Sequence, residues 1–221
     1  MHRYFVTGTD TDVGKTRVTA ALARALRTAG RATTIVKIVQ TGVAAADEGD
    51  AARAGRLAGC RHVELARFAT PADPWSAALA GGREPLDVAT AAARIQEIGG
   101  SVVAEGAGGL MVPIGPREYV ADVASAACLR AVIAVGLRLG CINHALLTVS
   151  GCERLGIAIA GAVLVERWES VERRYLDDVR RALKENVRIL GIMPFSIDEE
   201  DGVRSSAGMF DWLLGGAACQ A

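Results

Sequence analysis

Short apolar runs alternate along the chain with longer amphipathic stretches. Tyr4–Thr7, Thr33–Val39, Ser101–Ala104, Ala131–Val135, Ile157–Val165 and Val187–Leu190 are compact and largely aliphatic. Such runs mark strands buried on both faces. Between them, Lys15–Ala29 places Val18, Leu22 and Leu26 at helical spacing and stops at Gly30. Asp50–Ala58, Asp87–Ile98 (closed by Gly99-Gly100) and Ile142–Leu155 (behind Gly140) read as further helices, and Ser170–Lys184 as a charged amphipathic one. Residues 69–86, with Pro71, Pro74 and Pro85, are expected to be irregular. The alternation predicts an α/β fold: a single-domain parallel β-sheet with helices on both faces. Residues 1–221 form one domain without linker or internal repeat, and the tail from about residue 215 is expected to be frayed.

Composition narrows the class. A hydrophobic fraction of 51% over 221 residues excludes a disordered chain. Lys plus Arg number 25 and Asp plus Glu 25, a formal net charge of zero. That argues against bulk electrostatic capture of nucleic acid or an anionic membrane, so neither is expected as a partner. Cys60, Cys128, Cys141, Cys152 and Cys219 form no CxxC pair, which excludes a zinc ribbon or a disulfide framework and reads as small buried thiols in a reducing compartment. The N-terminal residues lead straight into a strand pattern, and no stretch approaches the roughly 18 apolar residues of a membrane span. A cytoplasmic location is expected.

The segment with most chemistry is Thr7-Gly8-Thr9-Asp10-Thr11-Asp12-Val13-Gly14-Lys15-Thr16. It lies between a predicted strand and a predicted helix, the context of a phosphate-binding loop. A helix start offers unpaired N–H groups and the positive end of the dipole, and glycine lets the backbone approach a phosphate closely. Lys15 supplies a cation to the terminal phosphates, and the Thr16 hydroxyl is suited to Mg²⁺. As a phosphate-loop lysine, Lys15 is expected to face solvent. Five residues, Thr9 to Val13, separate Gly8 from the Gly14-Lys15 pair, one more than the usual pattern.

With that widened spacing, the loop resembles the phosphate loop of the dethiobiotin synthetases. The likeness extends through Lys37 ahead of Gln40-Thr41-Gly42, Asp50 at a helix start, Glu105-Gly106-Ala107-Gly108-Gly109 behind a buried strand, and Gly136 through His144 at a strand-to-helix turn. The resemblance implies a P-loop NTPase-like fold and an Mg²⁺-dependent cyclo-ligase of biotin biosynthesis. Its substrates would be 7,8-diaminopelargonate, CO₂ and ATP. One amine takes up CO₂ as a carbamate, the carbamate is phosphorylated, and the second amine closes the cyclic urea with loss of phosphate. Lys15 and Lys37 would be catalytic, and Thr16, Asp50 and Glu105 the metal set. By itself Lys37 reads as a surface lysine at a strand end; beside the phosphate loop it reads as functional. Asp50 is either a metal ligand or the cap of its helix, with Asp47 and Glu48 as alternatives.

For the nucleotide the resemblance implies Asp12, Val13, Gly14, Lys15, Thr16, Arg17, Glu105, Gly106, Ala107, Gly108, Val165, Glu166 and Pro194. For the substrate it implies Thr11 and Thr41, together with Gly140, Cys141 and Asn143, whose helix start suits a carboxylate. In the family that helix serves the neighbouring subunit's site, so a homodimer is expected. Asn143 reads equally as a plain first-turn residue, Tyr175 either reaches the same carboxylate or is structural, and His144 is assigned to packing.

Two positions depart from the family. Ile38 stands where many members have Pro, and Val165 where many carry an Asn that reads the adenine edge. A valine offers no hydrogen bond, so base choice is expected to rest on main-chain groups near Val165, Glu166 and Pro194-Phe195. CTP or another triphosphate then becomes an alternative to ATP. The competing class is the partitioning-type P-loop ATPase switch. Such proteins carry a second lysine near the start of the loop, where this chain has Thr9, Asp10, Thr11 and Asp12.

Overall fold

Tyr4, Phe5 and Val6 are successive positions of one strand, and a strand turns successive side chains to opposite faces. In the computed structural model, which describes residues 2–167 and 171–215, Tyr4 and Val6 pack into one hydrophobic layer and Phe5 into another. The chain runs β1 (Arg3–Gly8), α1 (Lys15–Thr28), β2 (Thr33–Thr41), α2 (Asp50–Ala58), β3 (Arg61–Phe68), α3 (Pro74–Ala80), α4 (Val88–Gln96) and β4 (Ser101–Gly109). It continues through a short hairpin, β5 (Pro113–Gly115) and β6 (Glu118–Tyr119), to α5 (Val120–Ala126), β7 (Arg130–Gly136), α6 (Cys141–Arg154), β8 (Ile159–Val165), α7 (Arg173–Leu183) and β9 (Ile189–Met193). The last elements are α8 (Glu199–Ser206), a 3-10 turn over Ala207–Phe210, and α9 (Asp211–Gly215).

Seven strands form one parallel sheet in the order β3-β2-β4-β1-β7-β8-β9. One face is covered by α1 and α2 with the C-terminal elements: Val18, Leu22 and Leu26 lie with Leu57, Val203 and Phe210 against Val6, Ile35 and Val103. Each of the three α1 side chains is fully buried, worth about 1.5–3 kcal/mol apiece. The other face meets α3, α4 and α5 through Phe5, Val36 and Ala104, and α6 and α7 through Ile133 and Val135. On β2, Lys37 shares the parity of Ile35, and on β4, Glu105 shares that of Val103. Alternation therefore aims both charged side chains at the α1/α2 face.

The structure corrects several expectations. Arg61–Phe68 is a strand the hydrophobic pattern does not predict; it is one of the two edges of the sheet, with Arg61 and His62 exposed, and needs no continuous apolar run. The segment 69–86 is not wholly irregular, because Asp73 caps α3 by accepting from Ser76 N at 2.9 Å and Pro74 occupies its first turn. Helix α5 is likewise absent from the elements that the pattern predicts. β2 and β4 run on to Thr41 and Gly109, so Lys37 and Glu105 sit inside their strands rather than at the ends. α7 begins at Arg173 rather than Ser170, which lies outside the described residues, as do Cys219 and residues 216–221 of the tail. Cys141 and Cys152 are buried, Cys60 is half-buried, and Cys128 is exposed against expectation; all four are free thiols. Among the described residues no helix is long and apolar enough to cross a membrane.

Candidate active site

β1 ends at the centre of the sheet, where the strand order reverses, and open α/β sheets take their ligands in the crevice outside such a point. A cleft of about 560 Å³ opens there, floored by Gly14–Arg17 and walled by residues from β2, α2, β4 and the segments after β8 and β9. Its floor is ionic. The parallel register sets Lys37 directly beside Glu105. Lys37 Nζ donates to Glu105 Oε1 at 2.7 Å, to Asp50 Oδ2 at 2.6 Å and to the Gly106 carbonyl at 3.1 Å, which uses all three ammonium donors. Burial alone would push this ammonium down, since Lys37 is only 3% exposed. The charges of Glu105 and Asp50, and the hydrogen bonds to them, outweigh burial and hold its pKa above the ordinary lysine value. Burial likewise works to raise the Asp50 pKa, but the Lys37 ammonium overrides it and holds the carboxyl below its ordinary range.

Asp50 does not cap its helix. Gly49 occupies the N-cap position, while Asp50 N donates to Gln40 Oε1 at 2.8 Å, which docks the start of α2 against β2. Thr16 Oγ1 donates to Glu105 Oε1 at 3.0 Å. That oxygen thus receives both Lys37 and Thr16, whereas Glu105 Oε2 is buried with no partner among the described residues.

Lys15 is 7% exposed rather than solvent-facing. It folds over the loop and donates to the Asp10 carbonyl at 3.0 Å. Burial, and then the neighbouring Lys37 cation, push its pKa down to about 8. The loop is held from outside by Arg138, which pairs with Asp10, and by Arg167, 3.7 Å from Asp12. Gly14 adopts φ 91°, and a Cβ there would stand 2.8 Å from Val165 Cγ1, so both backbone and space require glycine.

That contact also places Val165. Its side chain is fully buried beneath the loop and does not line the cleft. The neighbouring carbonyls of Glu166 and Pro194 accept from Arg17, at 3.3 and 2.7 Å.

An AAA domain model matches residues 2–200. The ATP-dependent dethiobiotin synthetase BioD of Anaeromyxobacter dehalogenans is 42% identical over 174 residues, covering 74% of this chain and 76% of that protein. The enzyme of the same name from Rhodococcus jostii is 40% identical, covering 86% and 84%. This chain belongs to the dethiobiotin synthetase family. Among solved structures, MinD of Aquifex aeolicus aligns over the whole of both chains with a TM-score of 0.60 at 17% identity. A ParA family ATPase from Chlorobium tepidum aligns over 97% of this chain and 93% of its own with a TM-score of 0.56 at 13%. At such identities the likeness speaks for the P-loop fold alone.

Of the residues that the family resemblance implies, the structure brings Thr11, Asp12, Gly14, Lys15, Thr16, Arg17, Lys37, Thr41, Asp50, Glu105, Ala107 and Gly108 to one cleft. Val13, Gly106, Val165, Glu166 and Pro194 stand behind it, and the side chains of Asp47 and Glu48 do not reach it. Gly140, Cys141 and Asn143 open α6 away from this cleft. There Tyr175 Oη donates to the Arg138 carbonyl and lies 3.3 Å from Cys141 Sγ, while His144 is half-buried.

Arg53 and Glu199 carry no signal in the sequence, yet their ion pair joins α2 to α8 at the cleft wall, with Arg53 Nε donating to Glu199 Oε2 at 3.0 Å. In sequence Glu199 belongs to an acidic first turn, and nothing there points to a partner 146 residues away. Arg167 and Ser196 also line the cleft without a sequence signal. For a divalent cation the donors fit: Glu105, with one carboxylate oxygen unpaired, the Thr16 hydroxyl and the Asp50 carboxylate belong to residues that line one cleft. No group of three or more His, Cys, Asp or Glu among the described residues could hold a metal alone, so such a cation would depend on phosphate oxygens and water, as Mg²⁺ does.

Proposed function

We propose that this chain is an Mg²⁺-dependent dethiobiotin synthetase that joins 7,8-diaminopelargonate and CO₂ at the expense of ATP. The observation that carries the reading is the Lys37–Asp50–Glu105 cluster set against Lys15 and Thr16 of the phosphate loop, in a chain about 40% identical to enzymes of that name. Phosphoryl transfer asks little covalent chemistry of a protein and much positioning and charge neutralisation. The loop N–H groups and Lys15 bind the triphosphate. An anion arriving at Lys15 restores the charge that burial weakens. Lys37, pinned by three acceptors, holds a cation where the carbamate and the transferring phosphoryl group meet. Thr16, Asp50 and Glu105 would hold Mg²⁺, which when bound neutralises charge on the phosphate oxygens. Thr11 and Thr41 offer hydroxyls to the substrate from the cleft wall.

The α6 start would serve a second subunit's site through its unpaired N–H groups. Leu139 is 94% and Leu147 64% exposed on and beside that helix, which supports a homodimer through this face. Sedimentation showing a fully active monomer would exclude it.

The functional test is formation of dethiobiotin from diaminopelargonate, bicarbonate and Mg-ATP. Phosphate release should depend on diaminopelargonate. ATP hydrolysis of equal rate without it would favour the switch ATPase class, whose loop lysine this chain lacks.

A further inference from the structure

Arg17 stands where α1, β8 and β9 converge. Its guanidinium donates to the Glu166 carbonyl just past β8 and to the Pro194 carbonyl just past β9. The same side chain lines the cleft, with Phe195 and Ser196 across from the phosphate loop. Its Nε is buried and has no partner among the described residues. The Glu166 carboxylate is engaged as well: Oε1 accepts from Val171 N at 3.0 Å and Oε2 from Phe195 N at 3.2 Å. Three acceptor groups that flank this end of the cleft are therefore already met by donors. What faces the cleft is a guanidinium and the Phe195 ring, 39% exposed.

We propose that Arg17 sets the nucleobase preference: by engaging both carbonyls and presenting N–H groups, it favours a base edge with adjacent acceptors over one that leads with an amino group. Guanine offers O6 with N7, an edge without an amino group, whereas adenine presents its N6 amino donor beside N7 and cytosine its N4 amino donor beside N3. Adenine stays usable, because the triphosphate contacts are common to every base and Phe195 offers each a stacking face. The inference rests on the reading that the cleft takes a nucleoside triphosphate with its phosphates at Gly14–Thr16.

The experiment compares kcat/KM for ATP, GTP and CTP in the wild type and in R17V, alongside displacement of a fluorescent ATP analogue by each nucleotide and thermal melting. Removing the guanidinium frees both carbonyls for an amino donor. The ratio of ATP to GTP should rise by at least about fivefold. A smaller change in a folded variant overturns the proposal and leaves Arg17 as a structural tie between α1, β8 and β9, visible only as a lower melting temperature. Should R17V not fold, R17L, which also lacks a donor, takes its place, and the same rise or its absence decides the question. Absence of dethiobiotin with every triphosphate in the wild type would instead defeat the proposed function, and the displacement ratios would still decide the role of Arg17.

Discussion

The two ends of the cleft are built on different principles. At the β2/β4 end, charged side chains from distant segments meet: Lys37, Asp50 and Glu105 form a network in which the lysine has no donor to spare. At the β8/β9 end the groups are largely main chain, two carbonyls bridged by Arg17, and the side chain at the family's base-reading position is buried under the loop. The first end fixes charge at one point, as a transferring phosphoryl group requires. The second offers main-chain carbonyls and no buried side-chain amide, so a nucleobase proposed to sit there would leave no amide unpaired. The two lysines repeat the contrast on a smaller scale. Both are buried, yet Lys37 is held charged by direct contact with two carboxylates, while Lys15, hydrogen-bonded to a carbonyl, is pushed down to about 8 by burial and by the Lys37 cation against the weaker pull of Glu105, Asp50 and Asp12.

The largest effect is expected at Lys37. Lys37→Ala should lower dethiobiotin formation by more than about a thousandfold and reduce stability by about 3–5 kcal/mol, because it strands the Glu105 charge in the core. Pairing it with Glu105→Gln should restore the denaturation midpoint without activity. A single variant as stable as wild type would break the claim that the two ends differ in kind.

Lys15→Ala should cost about a hundred- to a thousandfold in turnover with no fall in melting temperature, since it leaves no carboxylate unpaired. A melting loss as large as that of Lys37→Ala would erase the distinction between the lysines. Next in size, Glu105→Gln should raise the Mg²⁺ concentration for half-maximal activity by about tenfold or more, because one buried acceptor oxygen becomes a donor. An unchanged Mg²⁺ titration would remove Glu105 from the metal set. The smallest effect concerns the base. Values of kcat/KM for ATP, GTP, CTP and UTP should spread by about tenfold at most. ATP favoured beyond about a hundredfold, or roughly 2.7 kcal/mol, would mean that the β8/β9 end reads adenine after all.

Much of this molecule is legible in one dimension. Aliphatic runs mark six of the seven strands of the sheet, because strands covered by helices are built mainly of apolar residues, and the charged exceptions Lys37 and Glu105 are paired with each other. The phosphate loop is visible because its chemistry is local: Gly14, Lys15 and Thr16 act from adjacent positions at one helix start. β3 escapes because an edge strand half-covered by helices tolerates Arg61, His62, Glu64 and Arg67. α3 escapes because Pro71, Pro74 and Pro85 overshadow the Asp73-Pro74 start signal.

What only the tertiary structure decided is which distant groups meet. Parallel pairing in one register, with side chains alternating between faces, sets Lys37 beside Glu105 across 68 residues and beneath the helix that brings Asp50. Packing of β8 under α1 buries Val165 against Gly14 and leaves the neighbouring carbonyls to Arg17. The composition of a strand and the residues of a local loop follow from the order of amino acids, since burial and turn geometry act on neighbours. Register, facing and partner depend on how whole elements pack, and no run of neighbouring residues contains that information.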